Sequence, residues 1–265
     1  MDFHGITTGL AIILGGMAVS LLLVIVARRF VSDDATRQAR DITGNLLSVV
    51  GTLYAVLLGL IVVDVMVRFQ RAIDTVQEES NSLADVFLLA ARLPDPFRSA
   101  LQDTCRTYAA QVVTDEWPRL RQAQPSPSAR RSALELTQCL DAFEPRTEAE
   151  KAVYPLLLEQ IREVWDCRRA RIGTAEYGIP GVAWFVLVAG AVVTVLLSVF
   201  LRTDSHRLQV FLTALAALII GLNLYLVALF GYPFSGDLTV SSRPFEIDIE
   251  IFDTLGGRDR TDPSA

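Results

Sequence analysis

"GTLYAVLLGLIVVDVMVRFQRAIDTVQEE", Gly51 to Glu79, begins like a membrane span and ends like a soluble acidic helix. No proline interrupts it, no glycine follows Gly59, and no turn cluster intervenes. Nothing local therefore stops the helix where the charges begin. Reading every third or fourth residue gives Ser48, Thr52, Ala55, Gly59, Val62, Met66, Phe69, Ile73, Val76, Ser80, Leu83, Phe87 and Ala90. Steps of four and three make a period of 3.5, held to just before Pro94. The spacing predicts one continuous helix of about 49 residues, roughly 70 Å long at 1.5 Å each.

The chemistry of that seam changes along its length. In the apolar part its residues are small, and Ala55 and Gly59 would let helix backbones approach closely in lipid. Further on they are large and apolar, where water drives their burial. Two readings stay open. The seam is packed against another helix of the same chain or of a copy, or it faces a pore. In a pore, Ser48 and Thr52 would be polar rungs, and Val62, Met66 and Phe69 an apolar constriction of the kind that gates by dewetting. Asp64 lies on the opposite face with Arg68 four residues on, the favourable order for a helical ion pair at the interface. Its other reading is an ion-pathway carboxylate.

Hydrophobic residues make up 51% of the chain, and they are concentrated in four segments near the length that crosses a bilayer. These run near Ile6–Ala27, Ile42–Val63, Ile179–Leu201 and Leu208–Phe230. Met1–Gly5 carries no basic residue, and the first apolar stretch is too long for a signal peptide, so it reads as a retained span. The expected fold is all-α, with spans 1 and 2 in residues 1–67 and a helical soluble domain in 68–178. Spans 3 and 4 follow in 179–230, then an extended acidic C-terminal arm in 231–265.

Within the inserted domain, "LPDPFRSALQDTCRTYAAQVV" places Asp95 as an N-cap and Pro96 at the first helical position. Phe97, Leu101, Cys105, Tyr108 and Val112 follow on one face. Trp117–Pro118 reads as the end of that helix. "TEAE", Thr147–Glu150, matches a capping box opening a helix that carries Leu157, Ile161 and Trp165 inward, with a kink at Pro155. At the C-terminus, Phe245, Ile247, Ile249 and Ile251 alternate with acids, a period-2 signal for a short strand or extended arm.

Catalytic chemistry is absent from the pattern. His4 and His206 stand alone near span ends, and no GxSxG, HExxH, Walker or dinucleotide motif occurs. Cys105, Cys139 and Cys167 form no CxxC pair, so no metal site and no cofactor are expected. The formal net charge is −6 and the arginines are interspersed with acids, which argues against nucleic acid. Glu78–Glu79 and Asp115–Glu116 read as solvated faces.

Four stretches taken in order bring a resemblance: "GTLYAVLLGLIVVDVMVRFQRAIDTVQEESNSL", "RLPDPFR…Y…DEWP", "RRARI…IP…W" and "YPFSGDLTV". Together they resemble the bacterial DUF4239 family, which is grouped with bestrophin-like domains. The resemblance implies a four-span helical protein of the bacterial inner membrane, a ring of subunits around a pore, and small inorganic ions, anions by analogy, as its cargo. In bestrophins the second span and its extension line the pathway. Their calcium-binding acidic cluster has no counterpart here. The competing function is a non-conducting membrane scaffold or sensor whose helical domain binds a partner.

Arg28, Arg29, Arg37, Arg40, Arg202 and Arg207 lie in short loops on one side, which the positive-inside rule makes cytoplasmic, leaving the domain outside. Arg68, Arg71, Arg168, Arg169 and Arg171 flank the domain and argue the other way, as does the cytosolic domain of bestrophins.

Overall fold

The computed structural model describes residues 33–200 and 206–261, with isolated helical positions between 15 and 26. The expected first span, Ile6–Ala27, lies outside the described residues apart from those positions. Among the described residues all regular structure is helical: α1 Asp33–Ala90, α2 Phe97–Gln111, a π turn Val112–Glu116, α3 Trp117–Leu120, α4 Pro127–Asp141, α5 Glu148–Glu176, α6 Gly181–Phe200, α7 His206–Phe230 and α8 Arg243–Thr261. Three helices are long and apolar enough to cross a membrane, over Thr43–Ala90, Gly181–Ser198 and Arg207–Phe230. The uninterrupted α1 is the helix the opening stretch predicts, and it extends further toward the N-terminus.

The chain divides into two units. The first holds α1 through Arg68, then Ile179–Tyr232 and Gly236–Leu238. Its core joins Tyr54, Leu58 and Val65 of α1, Leu187 and Ala191 of α6, and Val227 of α7. The Tyr54 hydroxyl donates to the Leu187 carbonyl at 3.0 Å, which satisfies the one polar atom that would otherwise be stranded among apolar neighbours. Gly190 makes room for this ring, because a Cβ there would run into Tyr54.

The second unit holds Phe69–Gly178, Pro233–Ser235 and Thr239–Ala265. Here the seam of α1 is internal: Phe69, Val76, Ser80, Leu83, Phe87 and Ala90 are buried, with Ile73 left outside. Pro96, not Asp95, takes the N-cap position of α2, and the Asp95 carboxylate one residue earlier accepts from the side chains of Arg98 and Ser99. Trp117–Pro118 does not end the helix either. Pro118 has no N–H to donate and its ring crowds the carbonyl four residues back. The wide turn Val112–Glu116 just before it moves that carbonyl away, and the chain continues into α3. The Thr147–Glu150 capping box forms with both of its bonds, and α5 runs on through Pro155.

The extended C-terminal arm is overturned. Residues 243–261 form α8. Ser242 precedes it, and Pro244 sits in its first turn, a start signal that outranks the short alternation behind it. Phe245, Asp248 and Phe252 are buried while Ile247 and Ile251 are exposed, so burial follows the helical step, i, i+3 and i+7. Phe252 stacks on Phe87 with ring centroids 4.2 Å apart, and burying each phenylalanine is worth roughly 1.5–3 kcal/mol.

Candidate functional site

The membrane half of α1 presents three lines of residues. Tyr54, Leu58 and Val65, with Ile61 partly buried, face the unit's own core. Leu46, Val49, Leu53, Val56, Leu60, Val63 and Val67 are large, apolar and exposed, as lipid contact requires. Between these lines lie Ser48, Thr52, Ala55, Gly59 and Met66, small or unbranched, and all exposed. The sequence-derived seam is this third line. Among the described residues it is uncovered, because the neighbouring line is the one that packs.

Details of the line follow from its residues. Thr52 Oγ1 donates to the Ser48 carbonyl at 2.7 Å, the usual back-bond of a helical threonine. Among the described residues, a Cβ at Gly59 would meet nothing within 4 Å, which leaves room there for a close neighbour. Val62 is half-buried against the core. Phe69 is buried in the helical unit, which removes it from the exposed line. Of the three expected constriction residues, Met66 alone projects fully from that face. Asp64 points elsewhere, and its Oδ2 accepts from Arg68 Nε at 2.8 Å, with both side chains exposed.

The helical unit contains a cluster that the sequence reading missed. Glu79 of α1, Tyr108 of α2, Glu116 of the π turn and Arg171 of α5 are completely buried, and Arg168 of α5 nearly so. Arg171 grips Glu79 as a two-pronged fork, Nε to Oε2 at 2.7 Å and Nη2 to Oε1 at 2.8 Å. The Tyr108 hydroxyl donates to the same Oε1. Arg168 Nε donates to Glu116 Oε2 at 3.3 Å, and its Nη2 to the Ser126 carbonyl. The Arg171 guanidinium also lies over the rings of Trp117 and Phe245, where the ring faces favour a cation.

Two acids and two arginines balance, which is what makes their burial tolerable. Burial pushes the Glu116 carboxyl above its usual value, against the pull of Arg171 and Arg168. Burial and then the charge of Glu79 hold the Tyr108 hydroxyl well above its own. For Arg171, burial favours losing the proton, but the charge and hydrogen bonds of Glu79 outweigh it. Beside this cluster, Ser80 Oγ donates to the buried Asp248.

Sequence reasoning paired Glu78 with Glu79 and Asp115 with Glu116 as solvated faces. Glu79 and Glu116 correct that reading. The signal was present in the spacing. Leu101, Cys105, Tyr108 and Val112 lead at the same step to Glu116, and Leu157, Ile161 and Val164 lead to Arg168 and Arg171. Charged residues thus continue the apolar seams of their helices. Arg168 and Arg171 are consequently core residues and leave the count of flanking charges. Glu78, Glu163 and Cys167 bring possible metal-ligand atoms within 4.8 Å of one another, but Glu78 is exposed and the Cys167 thiol, which burial pushes up to about 12, retains its proton.

Comparison with known proteins gives a consistent result. The profile of the Bestrophin-like domain matches residues 15–245. Among solved structures, a crystal structure of a bacterial bestrophin homologue from Klebsiella pneumoniae superposes with a TM-score of 0.69 at 14% identity, covering 92% of this chain and 99% of that one. A second structure of a bacterial bestrophin homologue from that organism gives 0.69 at 14% identity, covering 92% and 98%. A crystal structure of a membrane protein variant gives 0.70 at 14% identity, again covering 92% and 98%. At this identity the likeness is one of fold. Among curated proteins none matches.

Proposed function

The chain belongs to the bestrophin-like family, and on that premise we propose that it is the subunit of a homo-oligomeric membrane pore for small inorganic ions. The layout is four-span, with Ile6–Ala27 as the first span and the helical unit inserted between spans 2 and 3. The observation that carries the reading is the exposed line of α1. A lipid-facing line has no need of Ser48, Thr52, Ala55 and Gly59, and the same helix meets lipid with leucine and valine a quarter-turn away. Small and hydroxylated residues suit a surface that meets other copies or water.

Assembled around an axis, Ser48 and Thr52 would be polar rungs and Met66 the apolar constriction. The exposed line holds no carboxylate from Ser48 to Met66, a feature that favours anions over cations. The test is ion flux from liposomes holding the purified chain. Met66→Ser should raise chloride flux by wetting the constriction. Flux at the empty-liposome level for both parent and variant would favour the scaffold reading instead.

A further inference from the structure

The cluster around Arg171 leaves two fully buried atoms without a hydrogen bond, Arg171 Nη1 and Glu116 Oε1. They lie 3.9 Å apart, beyond direct hydrogen-bond reach. Neither is short of a neighbour. Arg171 commits Nε and Nη2 to Glu79, and the fork geometry turns Nη1 away from that carboxylate. Glu116 gives Oε2 to Arg168 Nε. Arg168 Nη2 is 3.1 Å from Glu116 Oε1, yet its hydrogen bond goes to the Ser126 carbonyl.

We propose that one buried water molecule bridges Arg171 Nη1 and Glu116 Oε1. A molecule about 2.9 Å from each atom is the apex of a triangle whose base is their separation, so both bonds have ordinary lengths. The chemistry selects the occupant. An anion would meet the carboxylate and a cation would meet the guanidinium, each at close range and out of bulk water. A neutral molecule that accepts from Nη1 and donates to Oε1 satisfies both. Water does so with the two partners that are the fewest a buried water normally has.

The water completes a chain of hydrogen bonds. Tyr108 donates to Glu79, Arg171 donates to Glu79 and to the water, the water donates to Glu116, and Arg168 donates to Glu116 and to the Ser126 carbonyl. Five segments of the helical unit, α1, α2, the π turn, α5 and the start of α4, are then held by one continuous polar network. Such networks are rigid only when every member is satisfied.

The test is an experimental structure of the full-length wild-type protein at a resolution that shows ordered water, with a second data set from crystals soaked in bromide. A peak within hydrogen-bond distance of both atoms, with no bromide signal, is the expected result. The proposal is overturned if the two side chains close to a direct hydrogen bond without a peak, or if bromide gives an anomalous signal at the site. It is also overturned if the peak touches only one of the two atoms.

Discussion

The two halves of α1 use the same spacing for different ends. From Phe69 to Ala90 the seam is covered by its own chain at every position but Ile73, and it holds mostly large apolar residues with Ser80 among them and Glu79 beside it. Among the described residues the seam from Ser48 to Met66 is left exposed apart from the half-buried Val62, and the adjacent line of Tyr54, Leu58 and Val65 packs instead. A 3.5 period therefore announces that a helix has a partner along its length without saying which chain supplies it. Residue size carries the second message. In water a seam is filled with bulk, whereas in lipid an outside neighbour is met with small side chains.

The largest expected effect breaks the covered half. Arg171→Met leaves Glu79 buried without its counter-charge, which should cost about 3–5 kcal/mol. Thermal unfolding of the detergent-purified protein measures it. Combining the change with Glu79→Leu should recover a large part of the loss, because the pair is then replaced by apolar groups. A double variant no more stable than the single one would show that the fork is not what Arg171 contributes.

A smaller effect on the fold, and one that separates a water-facing line from a helix contact, is expected in the exposed half. Gly59→Leu adds a side chain where no described residue lies within 4 Å, so single-chain stability should change by less than about 0.5 kcal/mol. If the line faces a pore, light scattering should show the parent's assembly unchanged. A dissociated oligomer would show that copies approach along this line instead.

The smallest effect concerns Asp248, which burial pushes up to about 6 from an ordinary 3.8, against a lowering hydrogen bond from Ser80. The folded chain holds this proton more tightly than the unfolded chain does. Its stabilisation is complete below the unfolded value and is lost as pH rises through the folded one. Asp248→Asn, which keeps an acceptor for Ser80, should raise Tm at about pH 7 and do so much less near pH 4. An equal shift at both would mean that titration of Asp248 is not its source.

Much of this was legible in the sequence. The unbroken α1, the capping box at Thr147–Glu150 and the spans at α6 and α7 follow from periodicity and punctuation, which are local properties. The order of motifs led to the bestrophin-like family. What escaped needed tertiary information. The stretch Phe245–Phe252 holds both the alternation and the helical step that buries Phe245, Asp248 and Phe252, and only a packing partner decides between the two. Glu79, Glu116, Arg168 and Arg171 looked like surface charge because each was judged with its neighbour in sequence. Their balance appears when three helices are brought together. At Phe69 the line passes from a face the described residues leave open to one they cover, and residue size marks the change only loosely, because Met66 is already large on the open side.

In the proposed pore, the Ser48–Met66 line of α1 faces water while the leucine and valine line faces lipid. Single cysteines at Ser48, Thr52 and Ala55, and at Leu53, Val56 and Leu60, placed in a chain carrying Cys139→Ser and reconstituted in liposomes, test it directly. A water-soluble thiol reagent should modify the first three and block ion flux, and should leave the second three unmodified. Protection of all six, with disulfide cross-links forming between copies at Ala55, would contradict the account and make the line a closed helix contact.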